Sequence, residues 1–265
     1  MIFEDKVILI TGAGSGIGAD ASRHLAKLGG KIALVDCHEK NVLDVAEQIK
    51  KAGSPTPLVI VADVAVDAKR IINETIKHFQ KLNVLINNAG IAHFDDVTTF
   101  EMDKFDRLFA VNVKGVIELT QLAVPFLKQT KGNIINTASV AALMCESNIL
   151  SYSISKAAVN QFTKNIALDL APFGIRANSI NPGVIRTPLV GSSMGLSPEK
   201  MKLLFQALKA SHPVGRTGEV SDTSAAIAYL ASDAASFLTG VLLPVDGGSL
   251  LVRSFDLQKI LASDE

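Results

Sequence analysis

Tyr152 and Lys156 stand four residues apart, and Ser139 lies thirteen positions upstream of the tyrosine. At helical spacing, a phenol and an ammonium four apart share one face, one turn from each other. A cation next to a phenol favours its ionised form and lowers its pKa, which would let Tyr152 give or take a proton near neutral pH. A hydroxyl at the end of a preceding strand, such as that of Ser139, would face both groups. Taken alone, Tyr-x-x-x-Lys is a common surface pair, so the chemistry depends on whether the other elements build a site around it.

Those elements alternate in type. Short apolar runs read as strands at 6–11, 31–36, 58–62, 84–87, 133–137, 175–180 and 241–245. Helical patterns fill most of the gaps, at 16–28, 40–51, 68–80, 101–129, from Tyr152 to about 171, and 219–231. Strands buried on both faces and separated by helices of this length predict an α/β fold, a doubly wound parallel sheet of about seven strands with helices on both faces. No linker or repeat interrupts the pattern, so one Rossmann-type domain is expected over 1–265. Its cofactor half would cover about 1–130 and its catalytic and substrate half about 131–249, with a tail at 250–265. The connection at 186–216, rich in Gly, Ser and Pro around one helical piece at 199–210, is long for a compact domain and is expected to serve the substrate.

Thr11-Gly12-Ala13-Gly14-Ser15-Gly16-Ile17-Gly18 joins the first strand to the first helix. Glycines there let the backbone turn tightly against a pyrophosphate, and the helix N-terminus offers free N–H groups to it. Asp36 ends the second strand, 18 residues after Gly18. A carboxylate at that place would accept hydrogen bonds from ribose hydroxyls and repel a 2′-phosphate, so NAD(H) is expected over NADP(H), although His38 and Lys40 are close by. Asp63 and Val64 follow the third strand, where Asp63 would meet an adenine amino group, cap a helix, or do both. Asn87-Asn88-Ala89-Gly90 closes the fourth strand; Asn87 is expected to brace the fold, and Asn88, Ala89 and Gly90 to face the cofactor.

Composition narrows the class further. Of 265 residues, 48% are hydrophobic and 20% charged, and Lys+Arg and Asp+Glu are both 26, so no basic excess points to nucleic acid or an anionic membrane. No run of about 18 uncharged apolar residues predicts a spanning helix. Cys37 and Cys145 are too few for a disulfide framework and lack metal-ligand spacing, and no metal site is expected. A cytoplasmic protein with reduced thiols is the expectation.

Together, the glycine loop, Asn87-Asn88-Ala89-Gly90, Asn112, Ser139, Tyr152-x-x-x-Lys156, Pro182-Gly183 and Val245-Asp246-Gly247-Gly248 resemble the short-chain dehydrogenase/reductase family in order and spacing. The resemblance implies an NAD-dependent oxidoreductase interconverting a secondary alcohol and a carbonyl. In it Tyr152 would be the general acid or base, and Lys156 would bind the nicotinamide ribose and tune the phenol. Ser139 would bond the substrate oxygen, and Asn112 would hold a relay water. Val111, Pro182, Gly183, Ile185 and Thr187 would complete the cofactor contacts. It further implies apolar substrate walls, with Leu189, Val190, Met194, Leu196, Met201, Leu204 and Phe205 facing Val140, Ala141, Met144 and Cys145. A homo-oligomer, most simply a tetramer, is implied as well. Ser151, Ser153 and Ser155 read as bystanders, and His24, His78, His93 and His212 as surface or loop histidines.

Overall fold

The computed structural model describes residues 2–190 and 197–252. Seven strands form one parallel sheet: β1 (Val7–Thr11), β2 (Lys31–Asp36), β3 (Leu58–Val61), β4 (Val84–Asn87), β5 (Asn133–Thr137), β6 (Arg176–Pro182) and β7 (Leu242–Val245). Their order is β3-β2-β1-β4-β5-β6-β7, as expected of a doubly wound sheet. The helices are α1 (Gly16–Lys27), α2 (Glu39–Lys51), α3 (Ala68–Phe79), α4 (Met102–Phe109), α5 (Gly115–Thr130), α6 (Leu150–Leu170), α7 (Pro198–Ala207) and α8 (Val220–Ala231).

The period of two along each strand sorts the core into two layers. Ile8 and Ile10 of β1, with Ile32 and Leu34 of β2, pack on the side holding α1, α2 and α8. Val7 and Leu9, with Ala33 and Val35, face α3 and α5 on the other side. Both sets are fully buried, which is why these strands read as unbroken apolar runs rather than alternating ones.

Strand order reverses at β1. It pairs β2 on one side (Thr11↔Val35) and β4 on the other (Ile10↔Ile86), so the loops after β1 and β4 diverge and leave a crevice at the carboxyl ends of the strands. Two differences from expectation bear on the site. The helix predicted at 101–129 is broken by a five-residue π turn, Ala110–Lys114, which brings Val111 and Asn112 into the interior. β6 runs on to Pro182, because Asn181 and Pro182 find partners in Pro244 and Val245 of the edge strand β7. The stretch Met102–Thr130 is long and apolar enough by composition to cross a bilayer, yet Leu108, Val111, Leu119, Ala123 and Leu127 along it are buried inside the fold. Met194, Leu196 and the tail from 253 onward lie outside the described residues.

Candidate active site

α6 carries Tyr152 and Lys156 past the carboxyl end of β5, and Ser139 follows that strand directly. Ser139 is buried and caps a short 3-10 turn, its Oγ accepting from the Ala141 N–H at 3.1 Å, while Asn181 Nδ2 donates to its carbonyl at 2.8 Å. Ser139 is the side chain that favours the ionised form of the half-buried Tyr152 phenol. Lys156 is 4% exposed, donates to the Thr137 carbonyl at 2.8 Å, and holds its Nζ 5.6 Å from the centre of the Tyr152 ring. The three expected groups therefore meet at one point.

Their electrostatics depart from expectation. Burial pulls the Lys156 ammonium down to about 8, because a desolvated cation is disfavoured. Burial likewise raises the Tyr152 phenol, partly offset by Ser139. The lysine was expected to depress the phenol. Desolvation sets the direction instead, and the nearby amine is itself close to losing its charge.

Asn112 is placed by the π turn. Its Oδ1 accepts from the Ile91 N–H at 2.9 Å, and its Nδ2 donates to the Ile91 carbonyl at 2.9 Å and to Ser155 Oγ at 3.1 Å. Ser155 Oγ in turn donates to the Tyr152 carbonyl at 2.7 Å. Ser155 is thus no bystander: it ties the backbone of Tyr152 through Asn112 to the loop after β4. Gly90 keeps the neighbouring space clear, since a Cβ there would come within 3.3 Å of Asn112 Oδ1 and 3.4 Å of Lys156 Nζ.

The sequence also gave no sign of Asp95. α6 has no side-chain cap of its own, with Ile149 at its N-cap. Asp95, 5% exposed on the loop after β4, supplies one from outside. Its Oδ1 accepts from the Ser151 N–H at 3.0 Å and its Oδ2 from the Ser151 hydroxyl; the backbone pairs Asp95 N with Asn148 O and Leu150 N with Asp95 O. His93 Nε2 lies 3.2 Å from the same carboxylate. Ser151 and His93, expected to be idle, form a latch one residue before Tyr152. A carboxylate capping a helix across a loop has no fixed sequence spacing, so no local signal marks it.

At the crevice between β1 and β4, the glycine loop is shaped as the sequence predicted. Gly12 and Gly16 take left-handed backbone (φ +64° and +52°), and Ser15, the exposed N-cap of α1, makes no side-chain capping bond, so the first amides of Gly16, Ile17 and Gly18 present a helix N-terminus. Asp36 Oδ2 accepts from the Gly14 N–H at 2.9 Å, and a Cβ on Gly14 would come 2.9 Å from the Asp36 carboxyl carbon; glycine is needed for that approach. Asn88 Nδ2 donates to the Thr11 carbonyl at 3.0 Å, and Thr11 Oγ1 accepts from the Asn88 and Ala89 N–H groups, both at 3.0 Å. The Asn88 side chain therefore holds the two loops together, and Thr11 joins it. Asp63 caps the turn before α3 through the Ala65 N–H and pairs with Arg107 Nη2 at 2.7 Å, beside the buried Val64 and Val111. Pro182 and Gly183 close on β7 (Gly183 N to Val245 O, 3.1 Å), Ile185 bridges to Gly218, and Thr187 reaches the glycine loop, its Cγ2 lying 3.2 Å from where a Cβ on Gly16 would be.

An open glycine cradle at a helix N-terminus, with a strand-end carboxylate beside it, fits a dinucleotide. Comparisons with known proteins agree. A family model described as Enoyl-(Acyl carrier protein) reductase matches residues 12–249. An uncharacterized oxidoreductase of Thermotoga maritima is 37% identical over 95% of this chain and 100% of its own length. A crystal structure of a short-chain dehydrogenase/reductase of unknown function from Caenorhabditis elegans, solved with cofactor, superposes with a TM-score of 0.89 at 32% identity, covering 95% of this chain and 97% of that one. The chain belongs to the short-chain dehydrogenase/reductase family. It is an oxidoreductase interconverting alcohol and carbonyl, from a family that works with a nicotinamide cofactor. Among the relatives is the 7alpha-hydroxysteroid dehydrogenase of Bacteroides fragilis, 34% identical over 93% of this chain and 95% of that protein.

The substrate walls implied by the family resemblance are placed in part. Phe205 is buried under Arg186, whose guanidinium lies 5.1 Å from its ring centre; Ala141 is buried, and Leu143, Met144 and Cys145 are exposed. Leu189, Val190, Met201 and Leu204 are half-buried. Of the histidines, His212 is not on the surface but 3% exposed. Among the described residues one group of metal-ligating side chains does occur, Asp36, Cys37 and His38, although the cysteine spacing had spoken against it.

Proposed function

We propose that this family member uses NAD(H) to interconvert a hydrophobic secondary alcohol and its ketone. The observation that carries the reading is the convergence of buried Ser139 and Lys156 on the half-buried Tyr152 beside the crevice between β1 and β4. In the reductive direction the Ser139 hydroxyl bonds the carbonyl oxygen and opposes the charge that develops there. Tyr152 gives that oxygen its proton. Lys156 would grip the nicotinamide ribose and pass protons between the phenol and a relay water that Asn112 holds. The bound nicotinamide supplies or accepts the hydride. A phenol raised by burial stays protonated through the neutral range, which suits reduction; oxidation needs the phenolate and should quicken as pH rises.

Asp36 supports NAD(H). Its carboxylate, fixed by the Gly14 and His38 N–H groups at 2.9 Å each, stands where a 2′-phosphate would be repelled. The exposed Leu143 and Met144 and the hydroxysteroid activity of the Bacteroides fragilis relative support an apolar substrate. Exposed Ile117, Ile154, Leu168 and Phe173 on α5, α6 and the turn after it support a homo-oligomer, most simply a tetramer, to be checked by light scattering.

Two variants test the reading. Tyr152→Phe should lower turnover by about 10²–10⁴-fold while leaving NADH affinity nearly unchanged; normal turnover on any substrate the parent accepts would overturn the mechanism. Asp36→Ala should weaken NADH binding and relax discrimination against NADPH, measured by fluorescence titration. An unchanged ratio would reject the role of Asp36. A panel of steroids, sugars, small diols and acyl thioesters then identifies the substrate, with thioester reduction using NADPH as the outcome that contradicts the proposal.

A further inference from the structure

The loop after β2 gathers three different metal-ligand types. His38 Nδ1 lies 3.2 Å from Asp36 Oδ1 and 3.3 Å from Cys37 Sγ, and the three donor atoms all fall within 4.8 Å of one another. Sulfur, nitrogen and oxygen ligands on a tetrahedral zinc would stand about 3.4–3.6 Å apart, as follows from the usual bond lengths, so a small adjustment closes the site. Cys37 and His38 are exposed, which leaves an entry path and room for a water as the fourth ligand. The carboxylate is already oriented, because Asp36 Oδ2 is held by the Gly14 N–H at 2.9 Å while Oδ1 points at the histidine. Partners of that kind fix a ligand before the metal arrives.

We propose that Asp36, Cys37 and His38 bind a thiophilic divalent cation of the zinc type, and that its occupation excludes the dinucleotide. The exclusion rests on the proposed role of Asp36 as ribose acceptor: the cation takes Oδ1 and neutralises the carboxylate that the ribose hydroxyls need. Hard cations such as magnesium and calcium do not compete for a thiolate and an imidazole. Binding is balanced by the release of one thiol proton; the imidazole stays neutral, its hydrogen passing through solvent from Nδ1 to Nε2.

The test uses the full chain, reduced and stripped with a chelator. Zn²⁺ is titrated against a chromophoric competitor, Co²⁺ is added to detect a thiolate-to-cobalt band in the near ultraviolet, and NADH affinity is measured with and without Zn²⁺. We expect the cobalt band in the parent and its loss in Cys37→Ser. Zinc affinity should fall about 100-fold in Cys37→Ser and in His38→Ala, at or beyond the 10–100-fold typical of losing an outer partner alone. Saturating zinc should weaken NADH binding in the parent at least tenfold and leave it unmoved in Cys37→Ser, whose zinc-free turnover should match the parent. Equal zinc affinity in parent and both variants, or a cobalt spectrum without the band, overturns the site. A Cys37-dependent zinc site that leaves NADH affinity unchanged upholds the metal and overturns its exclusion of the cofactor. If NADH binding also survives Asp36→Ala, the ribose role of Asp36 fails independently of the metal.

Discussion

The two ends of the crevice are finished differently. At the dinucleotide end, side chains close on backbone: Asp36 on the Gly14 and His38 N–H groups, Asn88 on the Thr11 carbonyl, Thr11 on the Asn88 and Ala89 N–H groups. At the catalytic end, the Lys156 ammonium has three protons to donate and, among the described residues, gives one to the Thr137 carbonyl. The dinucleotide end keeps its spare capacity on helix amides behind the exposed Ser15, the catalytic end on a buried cation. Buried polar groups are costly unless paired, so spare bonding capacity is cheap at the first end and costly at the second.

If that contrast is right, removing the under-paired buried cation should stabilise the free protein. Lys156→Met is the sharpest case. The lysine falls from its ordinary 10.5 to about 8 on burial. Below pH 8 both folded and unfolded states carry the proton, and folding bears the whole cost of burying the charge, about 3 kcal/mol at 1.36 kcal/mol per pH unit. Between pH 8 and 10.5 the unfolded chain holds a proton that the folded one has lost, so the parent gains stability as pH rises. Urea unfolding of the cofactor-free proteins should therefore show Lys156→Met more stable at pH 7, with the gap closing towards pH 10, and turnover lost throughout. A variant less stable than the parent at pH 7 would mean that the ammonium is better satisfied than its geometry shows.

The opposite behaviour is expected at Asp95. Its carboxylate caps α6 through the Ser151 N–H and hydroxyl, and truncation would leave the buried amide at the start of the helix without an acceptor. Asp95→Ala should cost about 1–3 kcal/mol of stability, the usual penalty of an orphaned buried group. Because Ser151 precedes Tyr152, turnover should fall as well, with KM for the cofactor little changed and partial recovery in Asp95→Asn. Loss of stability with unchanged turnover would make the latch purely structural.

How far each end could be read from the sequence follows the same division. The glycine loop, Asp36 and Tyr152-x-x-x-Lys156 are legible because backbone conformation, strand ends and helical spacing tie residue type to local position. The doubly wound parallel sheet follows from unbroken apolar runs such as 6–11 alternating with helices, joined by right-handed crossovers. Asp95, Ser155 and Thr11 were not legible, since each acts on an element distant in sequence through one hydrogen bond, and a serine on a helix looks the same whether it faces solvent or a buried amide. The phenol's upward shift was missed for a related reason: spacing reports a neighbouring charge, whereas desolvation depends on every element packed around it.

Ser155 gives the finest probe of the comparison, because it lies between the two ends. Its hydroxyl donates to the Tyr152 carbonyl and accepts from Asn112 Nδ2, the amide that also fixes Ile91 just beyond Gly90. Ser155→Ala removes one link and leaves an Asn112 proton unpaired, while the Ile91 bonds remain. The expected loss is about 1 kcal/mol, the usual net worth of one hydrogen bond. The informative readout is the coupling with Asp95. Ser155 and Asp95 hold α6 against the same loop from two points, so their effects on turnover in a double-mutant cycle should not add. Additive effects would mean that the two links act separately and that the loop after β4 does not move with the catalytic helix as one unit.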